Sequence, residues 1–326
     1  MSRILLTHSP DALANYYGGR ALAGLKALGE VVLNPDQRPL EGEALIRAAA
    51  DCELVVSYRQ SPAPAALFER LPKLAAFLRC AIDIRNVDVA AASRAGVLVT
   101  QASAGFVTSV SELVFGLMID LARGVSACAA DYHAGRVPRA RMGRELKGAT
   151  LGVIGHGQIG REVVRLGKAF GMHVLINDPY SKDIQSTELE KLLRQSDYVV
   201  PLAVANAETE NLIGERQFQA MKEGAFFINV SRGNLVDEAA LVRALDSGRI
   251  GGCALDVGRA PDQMPTPAIA ARPDVIATPH AAGLTLPAIE HQSLETVAQA
   301  AEILKGRAPK GAVNADHWTR KALLGR

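Results

Sequence analysis

The stretch Thr150 to Gly160, TLGVIGHGQIG, constrains this chain more than any other. An apolar run, Leu151 to Ile154, enters Gly155-His156-Gly157-Gln158-Ile159-Gly160, and Ile159, Val163, Leu166 and Phe170 then recur at helical spacing until Gly171. The pattern predicts a strand, a glycine turn and an amphipathic helix. In that setting Gly155 permits the tight turn, Gly157 lets a pyrophosphate approach the main chain, and Gly160 allows close packing. The helix N-terminus, with His156, Gln158 and Ile159 contributing main chain, offers unpaired N–H donors to the anion. A second strand, Met172 to Asn177, ends at Asp178, 18 positions beyond Gly160, near the offset of about 20 expected of a ribose-binding acid. An acid there favours NAD over NADP. The competing reading, a strand-to-helix turn with no ligand, leaves the second strand and its terminal acid unexplained.

A length of 326 residues suits two domains, and a net charge of +2 leaves no basic footprint for nucleic acid. The cysteines at 52, 80, 128 and 253 form no CxxC and have no histidine at metal-ligand spacing, so no metal is expected. The apolar segment from Gly105 to Ala122 is broken by Ser109, Ser111, Glu112 and Asp120, which predicts a buried helix rather than a membrane span. The N-terminal apolar run is too short for a signal sequence. A soluble, cytoplasmic protein with small-molecule partners and a second copy of itself is expected, with no membrane and no nucleic acid.

Short β-rich runs at Arg3 to His8, Glu30 to Asn34, Glu53 to Tyr58, Leu74 to Ile82 and Val97 to Gln101 alternate with Ala- and Leu-rich helical stretches. This is the βαβ alternation of a parallel sheet. A helix from Val107 to Arg123 leaves that domain, and residues 124–147 read as an arm outside the cores. After the glycine turn come strands at Tyr198 to Val204, Ala225 to Val230, Gly252 to Asp256 and Val275 to Thr278, then a long helix from Pro287 to Lys305. His8 and His173 lie beside apolar runs and read as satisfied structural histidines.

Two side chains near strand ends carry chemistry. Arg232, in FFINVSRGNLVDEAAL, can clamp a carboxylate with two N–H donors. His280, in ATPH, can exchange a proton with a carbonyl oxygen as hydride reaches its carbon.

With GHGQIG and Asp178, Asp197-Tyr198-Val199-Val200, NVSRGNLVDEAAL, Ala254-Leu255-Asp256-Val257 and TPHAAGLT in place, the chain resembles the D-isomer-specific 2-hydroxyacid dehydrogenases over nearly its whole length. The resemblance implies an α/β fold of two Rossmann-like domains with parallel sheets, the NAD-binding one inserted into a flavodoxin-like substrate-binding domain. Residues 1–103 and 285–326 are then the substrate-binding (catalytic) domain and 104–284 the NAD-binding domain, with 124–147 the dimerisation arm of a homodimer. It implies an NAD-dependent oxidoreductase, a 2-oxo acid reductase in the reverse sense, with Arg232 as anchor and His280 as acid/base. NAD is expected to meet the glycine turn, Asp178, Ala203, Val204, Asn206, Val230, Ser231, Arg232, Asp256, His280 and Gly283.

The chain departs from the family in two places. Where the family has an acid before a proline that orients the histidine, this chain has Gly258-Arg259-Ala260-Pro261-Asp262-Gln263; Asp262 is the carboxylate able to take that role, and Gln263 could hold the ring without charge. The substrate loop, usually glycine-rich, reads Cys80-Ala81-Ile82-Asp83-Ile84-Arg85, with Ala81, Ile82 and Asp83 in the carboxylate-binding place. Asp83 is unfavourable beside an anionic substrate unless it points away or pairs with Arg85. Arg59 either meets a distal anionic group of the substrate or is a solvated loop arginine. The fold also resembles the C-terminal binding protein corepressors, in which NAD gates protein association, and formate and phosphite dehydrogenases share this Arg and His.

Overall fold

The computed structural model describes residues 2–324. The chain divides into two compact units, Met1–Phe106 with Leu284–Arg326, and Val107–Gly283.

The first unit is built on strands β1 (Arg3–Leu6), β2 (Glu30–Leu33), β3 (Leu54–Ser57), β4 (Ala76–Arg79) and β5 (Leu98–Gln101), in the order β2-β1-β3-β4-β5. All pairings are parallel, and this is the flavodoxin-like order. Strands β3 and β4 are buried along their whole length, as a parallel sheet covered on both faces requires. The helix Leu286–Leu304 comes back to cover one face. Tyr17 and Thr296 share a hydroxyl hydrogen bond at 3.0 Å, and the Thr100 hydroxyl donates to Gln299 at 2.7 Å. The Trp318 indole N–H donates to the carbonyl of Ala75 at 3.0 Å.

The second unit carries β6 (Thr150–Ile154), β7 (His173–Asn177), β8 (Tyr198–Pro201), β9 (Ala225–Asn229), β10 (Ile250–Leu255) and β11 (Val275–Ala277), in the order β11-β10-β9-β8-β6-β7. These pairings too are all parallel. The strand order therefore reverses between β6 and β8, the switch point at which open α/β sheets bind ligands. The helix Val107–Arg123 buries Val110, Val114, Phe115, Leu117 and Met118, and among the described residues no single helix is long and apolar enough to cross a membrane.

Three local expectations change. The strand expected through Val204 stops at Pro201, because Asn206 accepts the N–H groups of Glu208 and Thr209 and folds the next residues into a turn. The helix Gln158–Ala169 turns Gly160, Val163, Val164 and Gly167 inward, while Phe170, expected on its apolar face, is 42% exposed. A Cβ on Gly167 would lie 2.8 Å from the Leu151 side chain, so glycine, not bulk, lets this helix sit against β6. Within the arm, Val125–His133 is helical with no buried residue.

Candidate active site

Because every strand of the second unit runs parallel, the carboxyl ends of β6 to β11 share one edge. The residues singled out beyond β6, β7, β8, β9, β10 and β11 all lie at that edge.

The glycine turn follows β6. Gly155 has φ +100°, and a Cβ there would lie 2.7 Å from the amide nitrogen of Ala203. At Gly160 a Cβ would overlap the carbonyl oxygen of Gly155. Gly157, which caps the helix Gln158–Ala169, has nothing within 4 Å of a Cβ position. The fold itself demands the outer two glycines and makes no demand for the middle one. The open space beside Gly157 adjoins the helix's first N–H groups, Gln158 and Ile159 among them, which have no partners within the helix. That cradle fits a dinucleotide pyrophosphate.

Asp178 lies just past β7. Its carboxylate accepts the N–H of His156 at 2.7 Å, of Tyr180 at 3.0 Å and of Ser181 at 3.1 Å. Beyond β8, Ala203 flanks the glycine turn, Val204 is 78% exposed, and Asn206 is occupied with its own turn.

Past β9, Val230 is buried and the Ser231 hydroxyl donates to the carbonyl of Pro201 at 2.9 Å. Asn229 closes this corner: its Oδ1 accepts the Ser231 N–H at 3.1 Å and its Nδ2 donates to the Arg232 carbonyl at 2.9 Å. The Arg232 guanidinium donates to the Ser231 carbonyl at 2.7 Å. Directly after it, a Cβ on Gly233 would overlap the main chain of Gly258, so the segments following β9 and β10 touch backbone to backbone.

Asp256, expected among the cofactor contacts, is fully buried. Its carboxylate accepts the Thr278 hydroxyl at 2.6 Å and the N–H groups of Ala281 and Ala282 at 2.8 and 3.0 Å, while its carbonyl accepts the His280 N–H at 2.9 Å. It thus fixes the main chain on either side of His280, which has φ +55°, and the turn that leads to Gly283. The imidazole Nδ1 lies 2.7 Å from the carbonyl oxygen of Asp262. A carbonyl only accepts, so Nδ1 carries a proton and Nε2 is the nitrogen left to exchange one. The orienting contact expected from the Asp262 carboxylate is made by its main chain.

In the first unit the expected substrate residues follow β3 and β4. The Arg59 guanidinium lies 5.4 Å from the centre of the Tyr16 ring. Ala81 is buried and Ile82 is 37% exposed. Asp83 pairs with Arg85 at 2.6 Å, and the Arg85 Nε bridges both its oxygens at 3.0 and 3.1 Å. The charge that was awkward beside an anionic substrate is thereby compensated. His8, at the end of β1, is buried between the rings of Tyr17 and Tyr58 at 5.0 and 5.1 Å, but neither ring nitrogen has a hydrogen-bond partner among the described residues. Burial first and the Arg79 charge second push its imidazole down to about 3. His173, also taken as structural, is exposed on β7.

Residues 115–282 match the pattern of the D-isomer specific 2-hydroxyacid dehydrogenase, NAD binding domain. A glyoxylate reductase of Korarchaeum cryptofilum is 32% identical over 275 residues, which are 81% of this chain and 83% of that protein. The chain belongs to the D-isomer specific 2-hydroxyacid dehydrogenase family. The D-3-phosphoglycerate dehydrogenase of Methanocaldococcus jannaschii is 32% identical over 90% of this chain, which spans only 57% of that relative's length. A solved protein of Thermus thermophilus superposes with a TM-score of 0.85 at 28% identity, covering 95% of this chain and 99% of its own.

As a member of this family the protein is an NAD-dependent oxidoreductase, and hydride transfer is the chemistry that NAD supplies when bound. Several residues that serve this edge of the dehydrogenase escape a motif search. Asn229 and Thr278 are polar side chains at the ends of apolar strands, a position that signals a hydrogen-bonding duty. The Gly233–Gly258 contact joins residues 25 positions apart, and nothing local in the sequence announces it.

Proposed function

We propose that the protein interconverts a small 2-oxo acid and its D-2-hydroxy acid, with glyoxylate the first substrate to test because the Korarchaeum relative is named for it. The observation that carries this reading is His280, its Nδ1 engaged by a carbonyl and its Nε2 left for the substrate, on the same sheet edge as Arg232 and the glycine turn. Gly155, Gly157 and Gly160 with the first turn of the helix hold the pyrophosphate, and Asp178 takes the ribose. Arg232 pairs with the substrate carboxylate and steadies the charge that grows on the carbonyl oxygen. His280 gives that oxygen its proton from Nε2 during reduction and takes it back during oxidation, so one proton moves with each hydride. The main-chain carbonyl of Asp262 holds the imidazole.

Loss of NADH absorbance with glyoxylate, hydroxypyruvate, pyruvate and phenylpyruvate tests the reading. Turnover of at least one acid is expected. Tight NADH binding without turnover of any acid overturns it.

We further propose a cytoplasmic homodimer joined through residues 124–147. The helix Val125–His133 has no buried residue, and beyond it Val137 and Met142 are 86% and 99% exposed. Sedimentation of the protein against a Val137→Glu/Met142→Glu variant tests this, with a monomeric variant the expected result.

A further inference from the structure

The residues after β10 form a closed loop. The Gly258 N–H donates to the carbonyl of Gln263 at 2.7 Å, and the Ala260 N–H to that of Met264 at 3.0 Å. Gly258 has no room for a side chain, since a Cβ there would lie 2.6 Å from Pro265 Cα. Arg259 staples the loop from outside: its guanidinium donates to the carbonyl of Val236 at 2.9 and 3.2 Å, to Asn211 at 2.5 Å and to Glu210 at 2.9 Å. At the tip, within the short turn Pro261–Gln263, Asp262 and Gln263 adopt φ +56° and +58°. Non-glycine residues rarely enter that left-handed region, and each does so under strain. Two in succession persist only where the surroundings dictate the path. The outcome of that path is the Asp262 carbonyl, 2.7 Å from His280 Nδ1.

We propose that in this dehydrogenase the acid/base histidine is positioned by main chain: the strained Asp262–Gln263 turn, locked by Arg259, presents a peptide carbonyl to the imidazole, and the Asp262 carboxylate is dispensable for that task. Asp262, Gln263 and Arg259 are positioning residues acting through His280. The inference rests on His280 being the acid/base group, and it accounts for a chain with proline where the family has its acid. A peptide carbonyl accepts a hydrogen bond from Nδ1–H, as a carboxylate does, so the tautomer is preserved. Glycine reaches positive φ without strain, so it can replace either turn residue and leave the carbonyl in place.

The test uses Asp262→Asn, Asp262→Gly, Gln263→Gly, Gln263→Pro and Arg259→Ala. The first three keep the carbonyl. They are expected to retain kcat within about threefold and an unchanged pH profile, a change of less than about 1 kcal/mol in the barrier. Proline cannot adopt positive φ, so Gln263→Pro swings the carbonyl away; kcat is expected to fall about a hundredfold with NADH affinity retained. Arg259→Ala loosens the same loop without forcing a dihedral and is expected to lower kcat about tenfold; it carries this arm if the proline variant does not fold. An imidazole 15N spectrum of the NADH complex needs no turnover, so it separates this idea from the substrate assignment. The Nδ1-protonated tautomer should persist in Asp262→Asn and be lost in Gln263→Pro. A large loss of kcat or a displaced pH profile in Asp262→Asn, or full activity in both loop variants, overturns the proposal.

Discussion

The carboxylate of Asp178 accepts the main-chain N–H of His156 at 2.7 Å, which ties the end of β7 to the glycine turn after β6. The same side chain satisfies Tyr180 and Ser181. Asp178→Ala strands three donors and is expected to lower stability by about 1–3 kcal/mol. It should also weaken NADH at least about tenfold, the scale of one charge-assisted hydrogen bond, and narrow the preference over NADPH. Melting curves and calorimetric titration with both nucleotides read these effects. Undiminished NADH affinity removes Asp178 from the site.

Gly157 and Gly160 separate cofactor binding from folding. A methyl at Gly160 meets the carbonyl of Gly155, whereas one at Gly157 meets nothing of the protein. Gly160→Ala should therefore melt early and express poorly. Gly157→Ala should melt like the parent protein, yet lose at least about tenfold in NADH affinity, since about 1.4 kcal/mol of lost contact suffices. Equal melting of both variants contradicts the packing assigned to this turn.

Arg232→Lys keeps the charge but loses the planar fork, and is expected to lower kcat/KM about a hundredfold. His280→Asn removes the proton donor and is expected to lower kcat by a factor of about 100 to 10,000. Fluorescence titration should find NADH binding within about twofold of the parent in both, a difference below 0.5 kcal/mol or so. A parallel loss of NADH binding would show that these side chains serve the cofactor as well as the substrate.

Much of this site is legible in the sequence, because strand ends, glycines and acids recur at spacings that backbone geometry imposes. GHGQIG is readable since a tight turn and a close helix each demand glycine locally. The Asp262 contact is not, because a peptide carbonyl has no letter in the sequence; only the backbone path, set by Arg259 reaching back to Val236, shows that residue 262 faces the ring through its main chain. Asp256 shows the same limit: nothing in its sequence position announces that its buried carboxylate takes the Thr278 hydroxyl and the N–H groups of Ala281 and Ala282, and so shapes the segment around His280.

His8 predicts a dependence on acid. Its imidazole is held neutral down to about 3 in the native protein, while in the unfolded chain it ionises near 6.5. Between those values the unfolded state binds the extra proton, so stability falls with falling pH by up to about 1.4 kcal/mol per pH unit from this group. Above pH 6.5 the effect vanishes. Urea titrations between about pH 4 and 7 should show a shallower decline for His8→Phe than for the parent, and equal slopes would contradict the neutral buried ring.

The helix Leu286–Leu304 and the Trp318 contact to Ala75 have a consequence for synthesis. The unit Val107–Gly283 is one uninterrupted stretch of chain, so on the ribosome it can fold as soon as it emerges. The sheet β1 to β5 is made first but waits for the helix that completes one face while some 200 further residues are translated, a delay of about 10–40 s at roughly 5–20 residues per second. Throughout that interval Leu6, Val56 and Leu78 lack their final cover. The order of genetic decoding makes the first unit begun the last one finished, and places its window for chaperone capture before residue 304.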